Sequence, residues 1–277
     1  MAHADDLFIE TCKKILDEGH MDLNAKVRPK WADDGSSAYT KKAFAVVNRY
    51  DLSKEFPALT LRPIPFKNCI DELLWIWQRC SNNVHDLHSH IWDAWADETG
   101  SIGKAYGYQL AKKYDWPEGR MTQVEKVRYD LKHNPQSRRI LTSIYDFNDL
   151  NEMHLYPCAY SMTFNVVGNK LCGILHQRSN DVLVANNWNV VQYAILLHML
   201  AIDANLEVGE LVHVIADAHI YDRHIPIVDE LIKRPTFKAP KLLIDPDVKS
   251  FDDFQVSSFQ LEDYQHNPQI KGIPVAV

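Results

Sequence analysis

Cys158 follows a proline in the stretch YPCAYS (156–161), where an alternating run of Tyr160, Met162, Phe164 and Val166 begins. Twenty residues on, QRSND (177–181) offers an arginine, a hydroxyl and a carboxylate. A thiolate is a strong nucleophile, and a fixed positive charge beside it favours the ionised form. An isolated cysteine is more often a small buried hydrophobe, and an arginine more often a solvated surface charge, so the chemistry needs the two stretches to meet. The intervening sequence predicts that they do. Gly168-Asn169 is a turn signal between the alternating runs Tyr160–Val166 and Leu171–His176, so the outer ends of an antiparallel hairpin bring Cys158 beside Arg178.

Other residue types suit an anionic, flat, polar ligand. Arg28, the pair Arg138-Arg139, and Arg178 with Ser179 present planar donors and a hydroxyl that match a phosphate, against the alternative of ordinary surface charge. His219 and Tyr221 are two apart on an expected strand and share a face, where they could polarise a sugar or base or simply form structural hydrogen bonds. Trp92 and Trp95 could stack on a heterocycle or pack in the core. No metal is expected: His85, His88 and His90 sit in a polar segment without a cysteine or paired carboxylates to complete a ligand shell.

The elements that would position these groups are legible in outline. Phe8, Cys12, Ile15 and Leu16 put one face on a helix from Asp6 to Glu18, ahead of Gly19. Asn24 to Thr40 is a polar loop holding Arg28 and Trp31. A second helix, Phe66 to Cys80, carries an apolar stripe with Glu72 off it. Ile91 to Tyr108 is irregular and rich in tryptophan and glycine, a candidate site wall. Strands are expected at Arg139–Tyr145, Leu211–Tyr221 and Phe254–Leu261, and a buried central helix at Asn189–Leu206. No repeat or composition break divides the chain, so residues 1–277 are expected to form a single α+β domain.

Composition narrows the function. The chain has 277 residues, 46% of them hydrophobic, ample for a sizeable core. Its net charge of −7, from 30 Lys plus Arg against 37 Asp plus Glu, opposes broad binding to nucleic acid or an anionic membrane. Five scattered cysteines, none in a CxxC pair, fit neither a disulfide framework nor zinc, so a cytoplasmic location is expected. Cys12, Cys69, Cys80 and Cys172 each sit in an apolar period and are expected to be buried and inert. The longest apolar run, Val190–Ile202, is too short to span a bilayer.

Together these stretches resemble the thymidylate synthase family over essentially the whole chain. The matching pieces, in order, are ELLW (72–75), IWDAWADETG (91–100), YG (106–107), SRRI (137–140), PC (157–158), QRSND (177–181), WN (188–189), LEVGE (206–210), DAHIY (217–221) and PVAV (274–277). The resemblance implies a large mixed β-sheet flanked by helices, in a homodimer packed sheet on sheet, and an enzyme that methylates dUMP with 5,10-methylenetetrahydrofolate as co-substrate. It implies Cys158 as the nucleophile at C6 of uracil, Glu72 and Tyr106 in proton transfers, and Arg178 and Asp181 among the catalytic groups. Phosphate would meet Arg28, Arg178 and Ser179, with Arg138 and Arg139 from the other subunit. Gln177 would contact dUMP, Asn189 would pair with N3 and O4 of its pyrimidine, and His219 and Tyr221 would bind the deoxyribose hydroxyl. Folate would lie against Ile91, Trp92, Trp95, Asp181, Ala185, Trp188, Ala276 and Val277.

The chain departs from the family pattern at Arg62, Pro65, Ala159, Ala185, Asn186-Asn187 and Ala216, and in the loop after Arg28. The resemblance puts most of these on the folate side. A second outcome therefore stays open, dUMP hydroxymethylation, in which water rather than hydride captures the one-carbon intermediate.

Overall fold

The computed structural model describes residues 2–277. In chain order the elements are α1 (His3–Glu18), β1 (His20–Met21), β2 (Thr40–Asp51), α2 (Phe66–Trp77), α3 (Gly107–Ala111), β3 (Lys113–Trp116), β4 (Gly119–Thr122), α4 (Gln123–His133), β5 (Leu141–Ser143), β6 (Ala159–Val167), β7 (Lys170–Gln177), β8 (Asn180–Asp181), α5 (Asn186–Asp203), β9 (Glu207–Tyr221), α6 (Ile225–Leu231), β10 (Lys241–Ile244) and β11 (Phe259–Glu262).

Seven strands form one mixed sheet in the order β1-β2-β9-β7-β6-β5, with β8 added beside β9. The β6–β7 hairpin turns at Gly168, whose φ of 64° a side chain would strain, and β7 then runs parallel to β9. A parallel neighbour requires a crossover, and α5 provides it, packed on β7 and β9. Its buried residues lie on nearly every side because α2 covers it from the other flank. One connected apolar cluster runs through the sheet, α1, α2 and α5.

The opposite sheet face is uncovered. Phe44 is 83% exposed, Val47 54% and Leu141 50%, and Leu141, Thr163, Ile174 and Val212 follow one another across the register. Among the described residues no helix is long and apolar enough to cross a membrane.

Several expectations need correction. The strand expected at Phe254–Leu261 is strand only from Phe259, because two 3-10 turns at Phe251–Asp253 and Val256–Ser258 break the alternation. The strand expected at Arg139–Tyr145 shrinks to Leu141–Ser143, which pair in register with Thr163, Met162 and Ser161 of β6. The second helix ends at Trp77, and Cys80, beyond it, adopts φ 49°. Cys80 and Cys172 are only partly buried, whereas Cys12 and Cys69 are fully buried. In the loop after Arg28, Trp31 is a core residue, 1% exposed, because the chain terminus folds over it.

Candidate active site

Cys158 stands one residue before β6, beside a β-bulge between Ala159 and Ser161. Bulges re-aim neighbouring side chains, and this one sits where the hairpin delivers Cys158 to the end of β7. The Cys158 carbonyl accepts the Arg178 N–H at 3.0 Å. The guanidinium of Arg178 is clamped by two backbone carbonyls, Nε donating to Pro157 at 3.0 Å and Nη2 to Tyr156 at 2.8 Å. That clamp leaves Nη2 3.9 Å from Cys158 Sγ. Burial nonetheless pushes the thiol up from its ordinary value, and the charges of Arg178 and then Arg28 oppose it without winning. Arg178 thus favours the thiolate, as expected from its place across the hairpin, but desolvation outweighs it in the free protein.

Tyr106 lies under the thiol. Its hydroxyl oxygen accepts the Cys158 N–H at 3.2 Å, and its ring meets Trp92 edge to face at 4.9 Å. Its φ of 45° is held in place by Gly107, where a Cβ would come within 2.0 Å of the Ser81 carbonyl oxygen. Burial raises the phenol well above its usual range, so it remains a neutral hydroxyl.

Glu72, off the apolar stripe of α2, is not on the surface. It is 6% exposed, and its two oxygens accept Trp92 Nε1 at 2.9 Å and Trp188 Nε1 at 2.5 Å. Burial pushes it up to about 7, against the pull of those two indoles and Gln192. A carboxyl poised at neutral pH can both give and take a proton.

Asn189, on the first turns of α5, is part of a chain of buried amides. Its Oδ1 accepts Gln177 Nε2 at 3.0 Å and its Nδ2 donates to Gln192 Oε1 at 3.3 Å. On β9, His219 and Tyr221 share a face with rings 5.3 Å apart, and Asp217 takes His219 Nδ1 at 2.8 Å. Burial lifts the Tyr221 phenol to about 12, and the charges of Asp181, Arg28 and Cys158 all reach it, which brings these separate segments to one place.

On the remaining wall, Asp181 pairs with His219 through β8 and caps the Val184 N–H at 3.1 Å, while Ala185 precedes α5. Trp92 and Trp95 pack edge to face at 5.7 Å, with Ile91 40% exposed beside them, an aromatic and apolar wall suited to a flat heterocycle. The terminus closes over the Arg28 loop: Lys30 N–H donates to the Val277 carbonyl at 2.8 Å, Val277 N–H to that of Lys30 at 2.9 Å, and Trp31 bridges Ala276.

Two groups of expected residues lie elsewhere. Arg138 and Arg139 are exposed, and Arg139 lines a cleft of about 260 Å³ with Trp116, Lys126 and Asp130, away from the neighbours of Cys158. Ala216 is exposed and lines a depression with Lys14, Lys42 and Phe44. Among the described residues Arg28, Ser179, Arg138 and Arg139 have no hydrogen-bond or ion-pair partner through their side chains, and no cluster of three His, Cys, Asp or Glu could hold a metal ion. Sequence reasoning passed over Gln192, Asn180, His213 and His224. Gln192 had a signal, the one amide within the apolar run Val190–Ile202, whereas His213 and His224 become informative only through partners far along the chain.

The family model described as thymidylate synthase matches residues 6–277. The thymidylate synthase of Bacillus licheniformis is 42% identical over 274 residues, covering 98% of both chains, and thymidylate synthase 1 of Bacillus subtilis (strain 168) is 40% identical over the same span. The solved structure of thermostable thymidylate synthase A from Bacillus subtilis matches with a TM-score of 0.94 at 40% identity, over 99% of each chain.

Proposed function

Given that the chain belongs to the thymidylate synthase family, we propose that Cys158 carries its reaction by adding to C6 of the uracil ring of dUMP. The chain is a methyltransferase that takes dUMP to dTMP. The co-substrate is 5,10-methylenetetrahydrofolate, which supplies the one-carbon unit and the hydride when bound and leaves as dihydrofolate.

The observation that carries this reading is the convergence of Cys158, Arg178, Glu72, Tyr106 and the Asn189 amide on one buried wall. Uracil is not nucleophilic at C5 until something adds at C6, and a thiolate is the side chain suited to that addition. As the S–C6 bond forms, the ring's π electrons move to C5 and O4. Glu72 moves protons to and from O4 and C5 through water, and Tyr106 assists loss of the C5 proton. Asn189, held by Gln177, donates to O4 and accepts from N3–H. His219 and Tyr221 bind the deoxyribose hydroxyl.

Arg28, Arg178 and Ser179 hold the phosphate. Arg138 and Arg139 complete it from a second subunit, a reading supported by their exposure away from their own Cys158 and by the uncovered apolar sheet face that a second copy would bury. Ile91, Trp92, Trp95, Asp181, Ala185, Trp188, Ala276 and Val277 form the folate wall. The single connected core supports the reading of the chain as one domain, and the scattered, unpaired cysteines support a cytoplasmic location.

The test is the product. Purified protein given dUMP and 5,10-methylenetetrahydrofolate should yield a methylated nucleotide with equimolar dihydrofolate. A hydroxymethyl nucleotide with tetrahydrofolate would contradict it.

Two substitutions probe the nucleotide side. Arg178→Ala removes the charge nearest the thiol, so the Cys158 thiol should titrate at higher pH and KM for dUMP should rise roughly tenfold to a hundredfold. An alkylation-rate profile against pH that matches wild type would deny the electrostatic contact. Asn189→Asp replaces an N–H donor with a carboxyl that, when protonated, donates to cytosine N3 and accepts from its amino group. It should gain dCMP turnover, and a variant inert toward dCMP would count against the role of Asn189.

A further inference from the structure

Asn189 does not hold its own amide in place. At one end Gln192 Nε2 donates to the Cys69 carbonyl at 3.3 Å. A carbonyl only accepts, so Gln192 must turn its oxygen toward Asn189, and Asn189 must turn its nitrogen toward Gln192. At the other end, Asn186 Nδ2 donates to Asn180 Oδ1 and Asn180 Nδ2 donates to Gln177 Oε1, both at 3.1 Å. His213 Nε2 donates to the same Gln177 oxygen. Gln177 is thereby left only its nitrogen to offer Asn189, 3.0 Å away.

His213 is fully buried, and its Nδ1 has no partner among the described residues. Burial pushes its imidazole down to about 3, so the ring is neutral with one N–H, which the Gln177 oxygen claims. Asn189 then has one N–H and one oxygen lone pair to spare, the pair that matches uracil O4 and N3–H. The reversed amide would instead match the amino group and N3 of cytosine.

We propose that His213 and Asn180 are positioning residues for pyrimidine choice, which fill both acceptor sites of Gln177 Oε1 and so lock Asn189 in its uracil-reading orientation. This rests on the reading of Asn189 as the residue that binds the pyrimidine. Losing one of the two donors leaves Gln177 free to turn over, and Asn189 is then held against reversal only from the Gln192 side, with one of its two anchors gone.

The experiment measures Kd for dUMP and dCMP, kcat with dUMP, and Tm, in wild type, His213→Leu, His213→Gln, Asn180→Asp and Asn189→Asp. His213→Leu should lower the dUMP preference about tenfold, the worth of one buried hydrogen bond. Asn180→Asp, which sets an acceptor against Gln177 Oε1, should lower it as well. His213→Gln returns an amide N–H near the position of Nε2 and should keep the preference even where Tm falls. Should His213→Leu not fold, Asn180→Asp decides. A preference equal to wild type in the folded variants, with only Tm reduced, overturns the proposal. If Asn189→Asp shifts the preference while these do not, the proposal alone fails; if Asn189→Asp leaves it unchanged, the reading of Asn189 fails with it.

Discussion

Cys158→Ser should lose methyl transfer by about 10⁴-fold or more while the protein still folds and binds dUMP. The site leaves little room for substitution by another nucleophile. A serine hydroxyl is far less acidic than a thiol, and the burial that already raises the Cys158 thiol would press harder on an alkoxide. None of the groups around Cys158 is placed as a strong base: Arg178 is a cation, and Tyr106 is a neutral phenol that accepts the Cys158 N–H. The loss should therefore fall on kcat. Affinity for dUMP should hold, because the phosphate and pyrimidine contacts involve other side chains. Equilibrium binding and single-turnover assays separate the two, and retained turnover within tenfold of wild type would remove covalent catalysis from the account.

Glu72→Gln should lower kcat by roughly 10²- to 10⁴-fold, the usual share of a positioned acid-base group. It should also abolish the limb of the pH–rate profile near pH 7, since Glu72 is pushed to about 7. The same shift has a stability consequence. The native carboxyl holds its proton up to about 7, whereas the unfolded one releases it near 4.5, so the native state binds more protons in that window. Wild-type stability should thus fall as pH rises from about 4.5 to 7, at a cost of about 3 kcal/mol above it. The amide of the Glu72→Gln variant cannot ionise, so its stability should be flat across the window, although its nitrogen must face one of the indole N–H groups of Trp92 and Trp188. Parallel pH dependence of Tm in both proteins would place the titration elsewhere.

The parts of this arrangement that are local in sequence were legible. The β6–β7 hairpin follows from alternation on either side of Gly168, and with it the meeting of Cys158 and Arg178. The apolar run of α5 marks a buried helix, and the i, i+2 spacing of His219 and Tyr221 puts them on one face of β9. The parts that depend on distant partners were not. Periodicity puts Glu72 off the apolar stripe and says nothing of its burial, which depends on Trp92 and Trp188 from 20 and 116 residues away. β2 hides its register because its outer face carries Phe44 and Val47 while its inner face carries Asn48. Asn48 is buried where it meets Thr11 on α1, 37 residues away. The thiol's net shift depends on burial, which alternation does not report. α4 had its own signals, a Thr122–Glu125 capping box and Val124, Val127 and Leu131 at helical spacing, outside any chemical motif.

Covalent attack by Cys158 is the claim on which the rest depends, and capture of the adduct tests it most directly. Wild-type protein mixed with dUMP and 5,10-methylenetetrahydrofolate would be quenched during turnover, digested, and the peptide containing Cys158 weighed by mass spectrometry. The account predicts a fraction of that peptide carrying the nucleotide, absent in Cys158→Ser. A peptide that stays unmodified while dTMP accumulates would contradict it.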